Sequence, residues 1–234
     1  MKKLFIFDYD NTLAQPVSVP SDNILSETAR LTKENYVAIM SGRTLKQLNQ
    51  LFVKNITITN NNLFICPYYG NKIFNYNLKT LNLIYEAEQV PPKDKEIIYK
   101  ALKGIKKKVI ITEKAGYIAM DCLGEDASNE VREKWDPDGS KRLSIRRNLD
   151  EIFKGRFDMF ITGRATIDIV AKGRNKADNT VRLARMLDIP LTNVTFTGDE
   201  FYKYGNDYPL LSLKDIQINI IKNPEETLGI LKRM

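Results

Sequence analysis

The amino-terminal segment constrains the fold more than any other part of this chain. A strand-length apolar run, Leu4–Phe7, leads directly into Asp8 and Asp10, and Thr12 follows two residues later. Alternate residues of a strand face the same side of a sheet, so both carboxylates can reach one site where the strand ends. Open α/β sheets bind their ligands at that edge. Taken alone, Asp-x-Asp is as compatible with an Asx turn that merely ends a strand.

Composition narrows the classes of function. With 234 residues, of which 43% are hydrophobic, the chain can form one large or two small domains. No apolar run approaches the roughly 20 residues that span a bilayer, and Met1-Lys2-Lys3 does not begin a signal peptide, so we expect a cytoplasmic protein without a membrane partner. The absence of histidine excludes His-based triads, general bases and metal sites. Neither Cys66 nor Cys122 has a metal-binding spacing, so both are predicted to be core residues.

The chain is basic, with a formal net charge of +7. This balance permits either an anionic substrate or a nucleic-acid surface. The densest basic run, Lys106–Lys108, has no interleaved aromatic residues and matches no nucleic-acid-binding pattern. We therefore predict that this run is solvated surface and that nucleic acid is not a partner.

Apolar periodicity predicts a repeated strand-helix-strand arrangement. A helix capped by Ser21 leads into a strand at Tyr36–Met40, which makes a βαβ unit. Ser41 ends this second strand, and Thr44 with Gln47 can form a capping box for the next helix. The expected buried face of the first helix consists of Ile24, Leu25, Thr28 and Leu31.

The middle of the chain breaks this pattern. Pro91-Pro92 marks the transition, and short helices and strands of mixed order follow. The predicted fold class is α/β: a doubly wound parallel-sheet, Rossmann-like core formed by residues 1–86 and 171–234, with an inserted α+β cap domain at residues 87–170. Short strands are also expected in the core around residues 56–59, 63–66 and 72–76.

Four polar clusters fall where one phosphate-binding site would need them. They are Asp8, Asp10 and Thr12 after the first strand, Ser41 after the second, Lys176 near the start of a later helix, and Asp199 with Asn206-Asp207 in a loop after a buried strand. In this order they resemble the four motifs of the haloacid dehalogenase superfamily of aspartate-nucleophile phosphotransferases. Lys172 is a second candidate for the lysine, and it is the resemblance that favours Lys176.

The resemblance implies a role for each residue. Asp8 would attack phosphorus and form an aspartyl phosphate. Asp10 would give a proton to the leaving oxygen and accept one from the incoming oxygen. Thr12 and Ser41 would donate hydrogen bonds to the phosphate, and Lys176 would supply positive charge to the transferring group.

The resemblance also implies a Mg²⁺ cofactor. Its ligands would be Asp8, the backbone carbonyl of Asp10, and Asp199, with Asp207 as a further ligand or an outer anchor. An anionic nucleophile must approach an anionic phosphate, so a cation is needed to reduce their repulsion.

The position of the insert resembles the superfamily branch with a large α/β cap. That branch includes sugar-phosphate phosphatases and eukaryotic-type phosphomannomutases. The long spacing between Asp199 and Asp207 resembles the mutases in particular. Because these relatives form homodimers through their caps, the resemblance implies that this chain can form a homodimer through its cap as well. By this resemblance, the cap residues that face the sugar or a second phosphate are Lys114, Arg132, Thr166 and Asp168.

Other positions depart from the mutases. Gly124 is followed by Glu125 where the mutases have an arginine that helps hold the second phosphate, and a carboxylate would repel that phosphate. Lys114 cannot form the bidentate fork of an arginine. Residues 39–43 instead resemble trehalose- and sucrose-phosphate phosphatases. We therefore predict a Mg²⁺-dependent phosphohydrolase of a small phosphorylated metabolite such as a sugar phosphate; the alternatives are a phosphomannomutase and a non-catalytic phosphosugar-binding relative.

Overall fold

The chain groups into two units. The first contains Met1–Glu86, Lys176–Phe201 and Asp207–Met234, and the second contains Ala87–Asn175 and Tyr202–Asn206. The computed structural model describes residues 2–77, 79–105, 109–124 and 127–234. The basic run Lys106–Lys108 and the departure at Glu125 lie outside the described residues.

The described residues form eleven β-strands and seven α-helices. The strands are β1 (Leu4–Phe7), β2 (Tyr36–Met40), β3 (Leu63–Cys66), β4 (Lys72–Asn77), β5 (Thr80–Glu86), β6 (Ile110–Lys114), β7 (Tyr117–Asp121), β8 (Phe157–Thr162), β9 (Thr166–Ala171), β10 (Val194–Gly198) and β11 (Gln217–Ile220). The helices are α1 (Asp22–Leu31), α2 (Leu45–Leu51), α3 (Pro92–Lys103), α4 (Asn129–Trp135), α5 (Ser140–Phe153), α6 (Lys176–Met186) and α7 (Pro224–Leu231). Within these described ranges, no helix combines the length and apolar character needed to cross a membrane.

The first unit is built on a seven-stranded sheet in the order β11-β10-β1-β2-β3-β4-β5. The strands from β11 to β3 are parallel, and β4 and β5 add an antiparallel edge. Phe7, at the end of β1, lies opposite Thr197 on one side and Ile39 on the other. Because these parallel strands end at nearly the same level, the residues that follow β1, β2 and β10 emerge at one edge of the sheet.

Alternating side chains of β1 enter two separate apolar cores. Phe5 and Phe7 pack on one face with residues of α1 and α2, while Leu4 and Ile6 pack on the other face with residues of α6. Burial on both faces explains why every position of this central strand is apolar. The predicted doubly wound parallel α/β fold is confirmed.

The helix caps predicted from the sequence are present. Ser21 Oγ accepts a hydrogen bond from the backbone N of Ile24, and Thr44 and Gln47 form both bonds of a capping box at the start of α2. Each cap satisfies an N–H group that has no partner within its helix and contributes about 1 kcal/mol. The four residues predicted to face the core from α1 are buried, and so are both cysteines.

The second unit contains a four-stranded antiparallel sheet in the order β6-β7-β9-β8. One face of this sheet, which carries Ile118, Met120, Ile167 and Ile169, packs with apolar residues of α3 and α5. The pairing of β9 with β8 continues as far as Ala171. The second unit extends to Asn175 and also includes Tyr202–Asn206. The domain boundaries expected from the sequence stay a prediction.

Two local strand predictions differ from the structure. The strand expected at residues 56–59 is wrong, because this segment is a loop. Ile56 and Ile58 are only 5% and 7% exposed, so their alternation reflects two side chains that enter the core from that loop. Conversely, β5 was not predicted, because most of its side chains are exposed at the edge of the sheet and it lacks the alternation of a half-buried strand.

Candidate active site

Strand ends position the first residues of the site. Asp8 follows β1, Ser41 follows β2 and Asp199 follows β10. The backbone N of Asp8 donates to the carbonyl of Thr197 at 2.9 Å, and that of Ser41 donates to the carbonyl of Cys66 at 3.1 Å. These bonds extend the sheet ladder beyond the strand ends, so the sheet itself holds the backbone beneath the site.

Lys176 joins two of the predicted aspartates. It begins α6 and is fully buried, with Nζ 2.7 Å from Oδ1 of Asp8 and 2.7 Å from Oδ1 of Asp207. Burial alone would lower the pKa of Lys176, but the carboxylates of Asp207 and Asp8 raise it above its ordinary value. Lys172 is exposed and pairs with Asp158 of the second unit. Of the two lysines, Lys176 is the one that contacts the aspartates.

Three carboxylates crowd the same volume. One oxygen from each of Asp8, Asp199 and Asp207 lies within 4.8 Å of the other two. Burial raises the pKa of Asp8 well above its usual range, and the charges of Asp207 and Asp199 add to this effect while Lys176 opposes it. Burial and the charge of Asp207 also raise the pKa of Asp199. With one lysine facing three carboxylates, the cluster has an excess of negative charge.

This charge excess and one orphaned oxygen fit a divalent cation. Oδ1 of Asp199 is buried and has no hydrogen-bond partner among the described residues. Leaving a buried acceptor unpaired costs about 1–3 kcal/mol, and a cation bound to this oxygen would remove that cost. Carboxylate oxygens are the donors that Mg²⁺ prefers, and Asp8, Asp199 and Asp207 would hold it. The carboxylate of Asp10 is not one of this group.

Backbone contacts in and before the loop that follows β10 hold the Asp207 carboxylate at the site. The backbone N of Glu200 donates to Oδ2 of Asp207 at 3.2 Å, and the N of Asp207 donates to the carbonyl of Glu200 at 3.2 Å. A Cβ atom at Gly198 would lie 2.5 Å from Oδ2 of Asp207. Glycine is therefore required at the end of β10 for the following loop to return this carboxylate to the site.

Arg43 holds Asp10, a contact that the sequence interpretation missed. Its Nε donates to Oδ2 of Asp10 at 2.8 Å and its Nη2 donates to Oδ1 at 2.5 Å. The guanidinium also lies over the ring of Tyr9, 5.7 Å from the centroid. The available signal was the arginine of Ser41-Gly42-Arg43 directly after a strand, since arginine recognises carboxylates in this two-pronged way.

Asn11, Thr12 and Ser41 complete this edge of the sheet. Nδ2 of Asn11 donates to Oδ2 of Asp199 at 3.2 Å, which the sequence interpretation also missed. Oγ1 of Thr12 is buried and unpartnered within the described part of the chain. Oγ of Ser41 accepts a bond from the backbone N of Arg43 at 3.2 Å and can still donate its own proton. Both predicted hydroxyls thus retain a donor for a ligand.

Three of the four predicted cap residues share one face of the sheet in the second unit. Thr166 and Asp168 are alternate residues of β9, and Asp168 is buried. Lys114 pairs with Tyr117, whose partner on β9 is Val170. Residues opposite each other in antiparallel strands share a face, so Lys114 lies on the face of Thr166 and Asp168. This face is opposite to the one covered by α3 and α5.

Arg132, the fourth predicted cap residue, is engaged within the second unit. It donates to the Asp121 carboxylate at 2.7 Å, to the carbonyl of Ala127 at 3.1 Å and to the carbonyl of Gly124 at 2.6 Å. Asp121 also accepts bonds from the backbone N atoms of Leu123 and Gly124. Arg132 thus closes the turn after β7, and it would have to give up these bonds to hold a phosphate.

Comparisons with known proteins show what the chain is similar to. A family model described as haloacid dehalogenase-like hydrolase matches residues 131–227. The chain is also 23% identical to a phosphomannomutase from Spinacia oleracea over 235 residues, which cover 95% of this chain and 92% of that protein. Residues 131–227 are thus similar to haloacid dehalogenase-like hydrolases, and nearly the whole chain is similar to phosphomannomutases. These likenesses indicate an enzyme of the phosphatase or phosphotransferase class that acts on phosphorylated substrates.

Solved structures share the fold of this chain. The N-terminally truncated, IMP-bound IMP-nucleotidase of Plasmodium falciparum aligns with a TM-score of 0.69 and 21% identity, over 99% of this chain and 67% of that chain. A haloacid dehalogenase-like hydrolase from Bacteroides thetaiotaomicron aligns with a TM-score of 0.66 and 15% identity, over 100% of this chain and 99% of that chain. At these identities the likeness concerns the fold alone.

Proposed function

We propose that the chain is a Mg²⁺-dependent phosphohydrolase that releases phosphate from a small sugar phosphate through an aspartyl-phosphate intermediate on Asp8. The observation that carries this proposal is the buried Lys176 bonded to both Asp8 and Asp207, with an oxygen of Asp199 within 4.8 Å of theirs. A purely structural ion pair would not need a third carboxylate with an orphaned, buried oxygen beside it.

Asp8 is the nucleophile in this proposal. Lys176 binds Oδ1, so Oδ2 is the attacking atom. A bond forms from Oδ2 to phosphorus as the bond from phosphorus to the sugar oxygen breaks, and that oxygen takes a proton from Asp10. In the second step a water oxygen bonds to phosphorus, the water proton passes to Asp10, and the bond to Asp8 breaks. The enzyme returns to its starting state.

The other residues stabilise the charge that develops on the phosphoryl oxygens. Lys176 supplies a fixed ammonium beside Asp8, and Thr12 and Ser41 donate hydrogen bonds from the same edge of the sheet. A bound Mg²⁺ would lower the repulsion between the carboxylates and the incoming phosphate. Both oxygens of Asp10 accept bonds from Arg43, so Asp10 must release at least one of these bonds and take up a proton from water before it can donate to the leaving oxygen.

Two observations favour a sugar phosphate as the substrate. The curated relatives that match nearly the full chain carry the name phosphomannomutase, in Spinacia oleracea and in Schizosaccharomyces pombe alike. The sheet face of the second unit that is opposite to α3 and α5 carries an ammonium, a hydroxyl and a carboxylate, from Lys114, Thr166 and Asp168. Such groups suit the hydroxyls of a sugar. The cytoplasmic location and the homodimer stay predictions.

A phosphomannomutase is the second candidate, favoured by the same full-length relatives. A mutase must hold a second phosphate while the aspartyl phosphate waits. Arg132, which would contribute to that grip, already makes three hydrogen bonds within its own unit. Glu125 stands in the sequence where an arginine is expected. These two features favour the phosphohydrolase.

Phosphorus NMR distinguishes the two candidates. Purified protein would be incubated with Mg²⁺, mannose 1-phosphate and a trace of hexose 1,6-bisphosphate. The Asp8→Asn variant is the matched control, because it keeps the shape of the side chain and removes the nucleophile. Inorganic phosphate formed only by the native protein supports the phosphohydrolase, whereas mannose 6-phosphate formed without phosphate release supports the mutase. If neither product forms, mannose 1-phosphate is not the substrate.

A further inference from the structure

We propose that Asn11 determines the cation selectivity of the site by restricting Asp199 to one-oxygen coordination. This inference rests on the proposed Mg²⁺ site. Nδ2 of Asn11 donates to Oδ2 of Asp199 at 3.2 Å, while Oδ1 of Asp199 is buried and has no partner in the described part of the chain. One oxygen is therefore occupied by an amide and the other is left for a ligand.

The backbone holds Asn11 in position for this role. Its φ of 52° lies in the left-handed region, which asparagine tolerates better than most residues other than glycine. The turn around it is fixed because Leu13 and Ala14 both donate backbone bonds to the carbonyl of Tyr9, at 2.9 and 3.2 Å. Asn11 follows β1 and Asp199 follows β10, and these two strands are paired neighbours. The amide thus reaches Asp199 from a rigid turn on the adjacent strand.

All three carboxylates of the cluster have an oxygen engaged by the protein. Lys176 binds Oδ1 of Asp8 and Oδ1 of Asp207, and the backbone N of Glu200 binds Oδ2 of Asp207. Among these donors, the Asn11 amide is the one that can be deleted without removing the buried lysine or altering the backbone. Asn11 therefore acts through Asp199 as a positioning residue and can be tested by itself.

Single-oxygen carboxylate ligands favour Mg²⁺ over Ca²⁺. Mg²⁺ requires a compact octahedral shell at about 2.0–2.1 Å, whereas Ca²⁺ takes about 6–8 oxygens at longer distances and accepts carboxylates through both oxygens. Without the amide, Asp199 can rotate and offer both oxygens to the ion. Loss of the amide should therefore weaken Mg²⁺ binding more than Ca²⁺ binding.

Calorimetric titration of chelator-treated protein with Mg²⁺ and, separately, with Ca²⁺ tests this inference. Asn11→Gly is the primary variant, because glycine keeps the left-handed backbone and deletes the amide. We expect its Mg²⁺ affinity to fall about 10-fold or more, as is typical when a residue that orients a metal ligand is removed, with a smaller change for Ca²⁺. Asn11→Asp replaces the donor with an acceptor at the same backbone conformation and should also shift the ratio of affinities toward Ca²⁺.

Asp188→Gly is the matched control, since Asp188 is also left-handed, with φ of 54°, and is exposed at the end of α6. It should leave both affinities within about twofold of native. The inference is overturned if the ratio of Mg²⁺ affinity to Ca²⁺ affinity is the same in both Asn11 variants as in the native protein, even where both affinities fall together. If the native protein binds Mg²⁺ and hydrolyses the sugar phosphate in that case, the proposed function stands and only the role of Asn11 is lost. If the native protein binds neither cation, both fail.

Discussion

Replacing Lys176 with methionine should reveal how the charge of the site is balanced. Methionine fits the buried space, but it removes the ammonium that lies 2.7 Å from both Asp8 and Asp207. Removing one partner of a buried ion pair costs about 3–5 kcal/mol. The pKa of Asp8 is already raised by burial, so protonation of Asp8 should relieve part of the added repulsion between the carboxylates. The loss of unfolding free energy should therefore stay within about 3–5 kcal/mol.

A divalent cation should restore much of this stability. A ligand that binds only the folded state adds about 2.7 kcal/mol at 100 times its Kd, and the more negative variant site should attract the cation more strongly. In urea unfolding with a chelator present, we expect the unfolding free energy of Lys176→Met to lie about 3–5 kcal/mol below native. This difference should shrink in excess Mg²⁺.

Lys172→Met is the matched control for that measurement. The side chain of Lys172 is 58% exposed and pairs with Asp158, so its loss should change the unfolding free energy by less than about 1 kcal/mol. The reasoning is refuted if Lys176→Met unfolds within about 1 kcal/mol of native in the presence of the chelator, or if Mg²⁺ stabilises the variant less than it stabilises the native protein.

Four further substitutions test other parts of the structure. Gly198→Ala places a methyl group 2.5 Å from a carboxylate oxygen of the cation cluster and should weaken Mg²⁺ binding in calorimetry about 10-fold or more. Arg43→Ala leaves Asp10 without its bidentate partner and should lower kcat about 10-fold or more in steady-state kinetics, with a smaller effect on KM. A rise in KM by the same factor with kcat unchanged would instead indicate that Arg43 binds substrate. Arg142→Met breaks the buried pair with Asp136 and should lower the unfolding free energy by about 3–5 kcal/mol. Burial alone would raise the pKa of Asp136, but the bonds from Arg142 lower it below its usual value. In acid unfolding, the unfolding free energy of the native protein should therefore exceed that of Asp136→Asn by its full amount above about pH 5, and this difference should shrink as pH falls below about 4.

Sequence reasoning located the groups that follow strands because their placement is a local property. The apolar run of β1 and the carboxylates after it can be read from consecutive residues, and the parallel register of β1, β2 and β10 then brings Asp8, Ser41 and Asp199 to one edge. The caps at Ser21 and Thr44 are also local, since each depends on residues within one helical turn. Where the chemistry lies within a few residues, the sequence was sufficient.

Pairings across the sheet could not be predicted in the same way. Arg43 contacts Asp10 from the end of a neighbouring strand, so the contact becomes visible only when β1 and β2 are paired. The choice between Lys172 and Lys176 depended on where α6 begins, which periodicity does not define to within one turn. In both cases the deciding information is the distance between residues that are far apart in sequence.

The contacts of Arg132 bear directly on the choice between hydrolysis and phosphate retention. In a mutase this arginine would have to exchange its bonds to Asp121 and to two carbonyls for bonds to a phosphate. Hydrogen bonds to a charged group contribute about 1.5–3 kcal/mol each, so three of them offset most of what a new phosphate contact would supply. The turn after β7 would also lose the side chain that closes it. A phosphohydrolase needs no second phosphate and can keep Arg132 where it is, which supports the proposed release of phosphate over its transfer within a sugar.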